Sequence, residues 1–427
     1  MEDKKQNRKK GQAMLLAVML FLASSLVVSL GLTSSTLNGL KTGNDLQKSK
    51  ESFSLGESLL EDITYRLKAQ KQVSDNETLS LNNYFATSSI INIAGNEKLI
   101  NVSGNVMDFV KNIEADVVSS SVGSFNYGIQ TGQGGITMSN SSSVVGNLYS
   151  SGPIIGTGSG NVISAVSAGA NGIISGLNTT EDAHAHTIES SNIGGDAYYQ
   201  VKRNTNVSEV SYPNSSDMPA LAMPISDDVI AGWESDAQSG GVINSPCPYS
   251  IYGSQTVTLG PVKINCDLNI SNSAIVKFAG AVWVSGNINI SNSSQLKIDP
   301  SLSGKSIPLI ADKQSNRTSS SIIYISNGMS YSGSGGYLFL ISKNNSAQNG
   351  GSSSAIDASN TVRGDIALYA PNGLISISNS VNVVEVTGYK VNLSNSATIN
   401  YQRGVASPVF VSGPSGGGYS ITNWGEK

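Results

Sequence analysis

A charge-free apolar stretch near the N-terminus constrains this chain more than any other feature. Residues 13–32 read AMLLAVMLFLASSLVVSLGL, and no charged residue falls between Gln12 and Lys41. A helix rises 1.5 Å per residue, so such a run covers the roughly 30 Å hydrocarbon core of a bilayer. Lys4, Lys5, Arg8, Lys9 and Lys10 precede it. Positive charge on that side keeps the N-terminus cytoplasmic and sends the remainder outside. A cleaved signal peptide is the competing reading. No small-x-small site followed by a polar start supports that alternative, and helical spacing continues through Leu46, Phe53, Leu55, Leu59, Leu60, Ile63 and Leu67. Residues 1–11 therefore read as a basic leader. Residues 12–72 read as one helix that spans the membrane and projects from it.

The basic leader ending in Gly11, the apolar helix that starts at once and its amphipathic extension resemble the class III signal of type IV pilin-like proteins. The resemblance implies that a prepilin peptidase cuts after Gly11 and methylates the new N-terminal residue, Gln12. It also implies assembly with other pilin-like subunits. Gln12 stands where that family usually has Phe or Met, and Leu16 stands where it usually has a glutamate. PilX-type minor pilins and tip subunits are similar in lacking that glutamate. A plain single-pass anchor is the alternative.

Beyond the helix the chain is poor in charge, with only 13% Asp, Glu, Lys and Arg, and its net charge is −4. A slightly acidic balance excludes a basic nucleic-acid binder. Short Val and Ile alternations exclude a disordered chain. Residues 73–126 read as an irregular and strand-bearing connection. From Tyr127 the sequence becomes repetitive. Ser-Asn-Ser or a near variant starts at Ser139, Ser271, Ser291, Ser326, Ser359, Ser378 and Ser394, at intervals such as 20, 19 and 16 residues. Short strands with turns at a near-constant period are the mark of a solenoid.

The fold class read from this pattern is mainly β: a long N-terminal transmembrane helix followed by a right-handed parallel β-helix ectodomain. Asn tolerates the left-handed conformation and can build side-chain ladders between rungs. Residues 127–202 form a first solenoid segment, 203–241 a Pro-rich linker and a short capping helix, 242–411 a second segment and 412–427 a flexible tail. Ser226 is placed to cap the short helix, with Val229, Ile230 and Trp233 on its apolar face. A Ser-rich β-sandwich is the alternative fold. The segments VWVSGNINISNS, ALYAPNGLISISNS and VNLSNSATINY are similar to the repetitive ectodomains that follow PilX-type N-termini in bacterial envelope proteins.

Cys247 and Cys266 lie 19 residues apart, close to the repeat interval. Residues one coil apart stack at about 4.8 Å, within disulfide reach. An even pair on the outer side favours that bridge over a metal site. His184 and His186 share a face if their segment is a strand, which makes them a weak metal candidate lacking a third ligand. Charges in the repeats are scattered, and no two carboxylates recur at one place on successive coils, as a polysaccharide-cleaving groove needs. No phosphate loop, nucleophile elbow or HExxH motif occurs. The chain thus reads as a non-enzyme without cofactors. Taken with its resemblance to type IV pilin-like proteins, it reads as a pilin-like structural subunit, a minor or tip component of a surface filament, displaying a β-solenoid for surface contact or adhesion. Surface glycans are a candidate partner, with Tyr249, Tyr252 and Trp283 as candidate contacts. A membrane-anchored β-helix lectin or polysaccharide-degrading enzyme is the alternative.

Overall fold

A computed structural model describes residues 3–68, 73–74, 76–92, 97–119, 125–406, 408–412 and 419–426. Two compact units result, residues 1–118 with 419–427, and residues 119–418.

The first unit begins with helix α1 (Asp3–Lys68) and continues through strands β1 (Thr78–Leu81), β2 (Tyr84–Asn92), β3 (Glu97–Val106) and β4 (Phe109–Ser119). The helix thus starts nine residues before the expected boundary at Gln12, and residues 69–72 lie outside those described. β1 to β4 pair antiparallel in chain order, and a last strand, Tyr419–Glu426, lies beside β4. Two tight turns make the hairpins. Asn82 and Asn83 have φ of 50° and 67°, Met107 and Asp108 47° and 69°. Paired positive φ values match the right-handed twist of the strands they join. In β2, Ala86, Ser88 and Ile90 are buried while Phe85, Thr87, Ser89 and Ile91 face out. The buried set meets Leu55, Leu59, Leu60, Ile63 and Leu67 of α1. Gly104 lets helix and sheet touch, since a Cβ there would stand 2.1 Å from the Ser52 carbonyl. Ser52 Oγ donates to the Gly104 carbonyl at 2.8 Å.

Two expectations meet the structure here. The stretch 73–126, expected as irregular and strand-bearing, carries strands from Thr78 onward, and β1 and β2 alternate small and polar residues that a period-2 apolar search overlooks. The segment 412–427 is not simply a flexible tail, since residues 419–426 complete the sheet of the first unit.

The second unit is built on a 32-stranded sheet in which the pairings are parallel. Over most of it each strand bonds to the third strand after it, so three short strands complete one layer and the next layer stacks above. This arrangement is consistent with a β-helix. One inward row runs Leu268, Ile288, Ile323, Ile356, Ile375, Val391, Ile136, Ile154, Ile174 and Ile188, each partnered with the next across a layer. All are buried in one apolar core. Aliphatic side chains of similar size stacked in this way leave little void, and each carries about 1.5–3 kcal/mol of burial.

Every Ser-Asn-Ser variant marks one corner. Asn272, Asn292, Asn327, Asn360, Asn379, Asn395 and Asn140 all have φ between 48° and 57°. Each Nδ2 donates to the Oδ1 of the preceding asparagine, from Asn292 onto Asn272 (3.2 Å) up to Asn140 onto Asn395 (2.9 Å). A second ladder links Asn206, Asn192 and Asn178 at 2.9 and 2.8 Å.

Layer order differs from chain order. The strand Glu385–Leu393 pairs with Ile129–Ser139, so Asn140 follows Asn395 in the ladder. The chain enters the stack midway and climbs to Ser211–Pro213 at one end. It then restarts at Val242–Ile243 at the other end and climbs back to Ile129. The two expected segments are one continuous sheet. The linker expected from residue 203 begins later, because Asn206–Val207 and Ser211–Pro213 form one more layer at a 14-residue step. Its turn residues are corners of that layer.

Helix α2 (Asp227–Ser239) is capped by Ser226, whose Oγ accepts from the Val229 amide at 3.4 Å. It covers a flank rather than an open end. Val229, Ile230, Trp233 and Ala237 pack with Trp283, Ile310, Phe339 and Phe410. The flanked strands Ile307–Ala311 and Leu338–Ser342 are therefore buried on both faces, the usual state of parallel strands.

The ladder predicts a graded response at Asn360. Asn360→Gly retains the positive φ and loses two side-chain hydrogen bonds, while Asn360→Ala loses both features. Chemical denaturation should show Asn360→Ala costing about 1–2 kcal/mol more than Asn360→Gly. Equal costs would mean the corner conformation is unimportant.

Candidate functional site

The apolar N-terminal stretch of α1 is exposed. From Met14 to Leu32 its large side chains stand free, Phe21 at 75% and Leu20 at 68%. The same helix from Leu55 onward is buried against its own sheet. One helix thus has two environments, set by where β1 to β4 supply a partner. Its N-terminal half is long and apolar enough to cross a membrane. Gly11 and Gln12 fall on α1, and their side chains lie outside those described.

Cys247 and Cys266 are joined, with a Cα–Cα distance of 5.8 Å. The bridge ties the terminal layer of the sheet to the next, beside the pairing of Tyr249 with Leu268. Proline also occurs here, at Pro246, Pro248 and Pro261, and removes donors from a sheet edge.

His184 and His186 do not form a joint site. His184 sits on the strand Ala183–Ala185 and stacks on Tyr198 at 3.9 Å between ring centroids, and Tyr198 stacks on Tyr212 at 4.7 Å. Burial lowers the imidazole pKa of His184. His186 lies at the following corner, its Nδ1 3.2 Å from Asp217. Among the described residues no group of three or more His, Cys, Asp or Glu is placed to hold a metal ion.

The three aromatic contacts proposed for glycans are dispersed. Tyr249 packs on the inner core, Tyr252 is 60% exposed on a terminal strand, and Trp283 lies under α2. The Lys263 ammonium stands 3.6 Å from the Trp283 ring centroid. A groove of about 560 Å³ on the first unit is lined by Thr87, Ser89, Asn101, Ser103 and Asn112 together with Val102 and Ile113.

The scattered charges acquire structural partners. Asp267 Oδ1 accepts from the Asn287 amide at 2.7 Å, and Asp299 Oδ1 accepts from the Ser301 amide at 3.0 Å. Asp312 is fully buried and takes two bonds from Arg317, at 2.8 and 2.6 Å. Glu385 is fully buried and accepts from Thr387 Oγ1 at 2.5 Å. Burial raises the pKa of its carboxyl well above the ordinary value. Sequence reading missed the meeting of Asp312 with Glu234 of α2, because the two are far apart in the chain.

No family model matches the chain, and no curated protein matches it. Among solved structures, the competence-associated pilin ComZ from Thermus thermophilus aligns at 11% identity over 89% of this chain and 97% of that one. The TM-score is 0.32, and a likeness at that level carries no argument.

The disulfide generates a local prediction. Cys247→Ser with Cys266→Ser opens a loop whose closure is worth on the order of 3 kcal/mol in the chain-entropy model. Hydrogen exchange should rise at Tyr249–Tyr252 and Thr256–Leu259, while Ile366–Ile377 keeps its protection. Unchanged exchange at the terminal strands would remove the stapling role.

Proposed function

We propose that this protein is a pilin-like structural subunit, inserted by α1 and processed between Gly11 and Gln12 by a prepilin peptidase. Its second unit is a right-handed parallel β-helix held outside the cell for surface contact, and the protein performs no catalysis. The observation that carries this reading is the divided helix. Its last stretch, Leu55 to Leu67, packs on its own sheet, and the stretch from Met14 to Leu32 presents its large apolar side chains to no partner among the described residues. Each large apolar side chain among them forgoes about 1.5–3 kcal/mol until something apolar covers it. A bilayer covers it before assembly, and the helices of other pilin-like subunits cover it in a filament.

Leu16 favours a minor, tip or initiating position. In the family that the leader resembles, a glutamate at this place neutralises the terminal amine of a neighbouring subunit. An unpaired amine in an apolar fibre core costs several kcal/mol. A subunit at the tip has no subunit above it to engage in this way. A second unit of 300 residues, 119–418, is also hard to repeat along a close-packed shaft.

Mass spectrometry of membrane-extracted protein should find a chain that starts at Gln12, and an intact Met1 terminus would defeat the processing. Gold label against residues 242–400 should decorate filament ends or the cell envelope. Uniform decoration along purified filaments would reject the tip position.

A further inference from the structure

We propose that Glu234 and Asp312 form an acid-tightened latch that holds α2 on the flank of the parallel sheet. The inference is independent of the membrane and filament reading. α2 docks through Val229, Ile230, Trp233 and Ala237, and the same inner face carries Glu234, which is 5% exposed. Glu234 Oε2 accepts from Gln314 Nε2 at 3.3 Å, while Oε1 has no hydrogen-bond partner.

The charges facing Glu234 are already balanced among themselves. Asp312 has both oxygens occupied by Arg317. Lys343 is 4% exposed, and its ammonium is engaged by Asp227 at the start of α2. Ionised Glu234 would add an unmatched negative charge to a buried interface, next to the Asp312 carboxylate. As a neutral acid it keeps the interface balanced and has a proton to direct toward Asp312.

Burial first, and then the Asp312 charge, push the Glu234 carboxyl up to about 7. The folded value lies above the ordinary 4.5. The docked state therefore binds more protons than the released one between those two values. Docking is strongest below about 4.5 and weakens as pH rises toward 7, with the full loss present above it. Release of α2 would uncover Trp283, Ile310 and Phe339, an apolar flank otherwise closed to partners.

Hydrogen exchange of the full chain, corrected for the intrinsic rate, reads this directly. Protection of the amides from Val229 to Ala237 should fall about tenfold between pH 6 and pH 8, while Leu338–Ser342 holds. Glu234→Gln has the shape of the neutral acid and should abolish that slope while keeping α2 protected at pH 8. The proposal is overturned if wild-type α2 shows no change over this range. It is equally overturned if Glu234→Gln retains the wild-type slope.

Discussion

The second unit depends on one repeated interaction, the hydrogen bond that each corner asparagine donates from Nδ2 to the Oδ1 of the asparagine one layer before. A non-glycine residue at positive φ costs roughly 1–2 kcal/mol, so a corner built from seven of them needs a return. The Nδ2–Oδ1 chain supplies it, because every asparagine gains a partner only when its neighbours adopt the same turn. Fixed corners keep the strands in register. Register in turn aligns the aliphatic rows, since a one-residue slip would send every inward side chain outward. Length between corners is then free to vary. The step from Ile290 to Ile325 is one layer, although it spans 35 residues against 20 for the step before. The excess leaves the sheet as a loop that carries Asp312 and Arg317 to the flank where α2 lies.

Much of this fold was legible because corners and cores leave periodic traces. Ser139, Ser271, Ser291, Ser326, Ser359, Ser378 and Ser394 each precede a ladder asparagine. The disulfide spacing matched the layer step for the same reason. Spatial order was not legible. Nothing local in Ile129–Ser139 says that it rests on Glu385–Leu393, since every layer presents the same backbone edge to its neighbour. Residues 203–213 misread as linker because strands this short leave much of a 14-residue layer to turns. β2 left a weak trace because its fully buried positions are Ala86, Ser88 and Ile90, only one of them large.

Functional surfaces were harder to read than the core, because side chains change meaning with the face they occupy. Trp283 reads as a ligand contact and lies beneath α2. His184 and His186 read as neighbours and separate at a corner, one into an aromatic stack and one toward Asp217. Asp312, Arg317 and Glu385 read as isolated charges, yet each has a partner in the fold. The exposed half of α1 was the exception. An apolar stretch without charge keeps one meaning whatever packs elsewhere, so both the sequence and the structure point to the same need for an external apolar partner.

The continuous stack is tested most directly by a designed crosslink between Ser143 and Thr398. They are 255 residues apart, are direct partners across one layer, and place their hydroxyl oxygens 3.5 Å apart. Ser143→Cys with Thr398→Cys, in the otherwise unchanged protein, should form a disulfide under mild oxidation without loss of folding. Recovery of both thiols free from the folded, oxidised protein would contradict the account, because two segments stacked in chain order never bring these positions together.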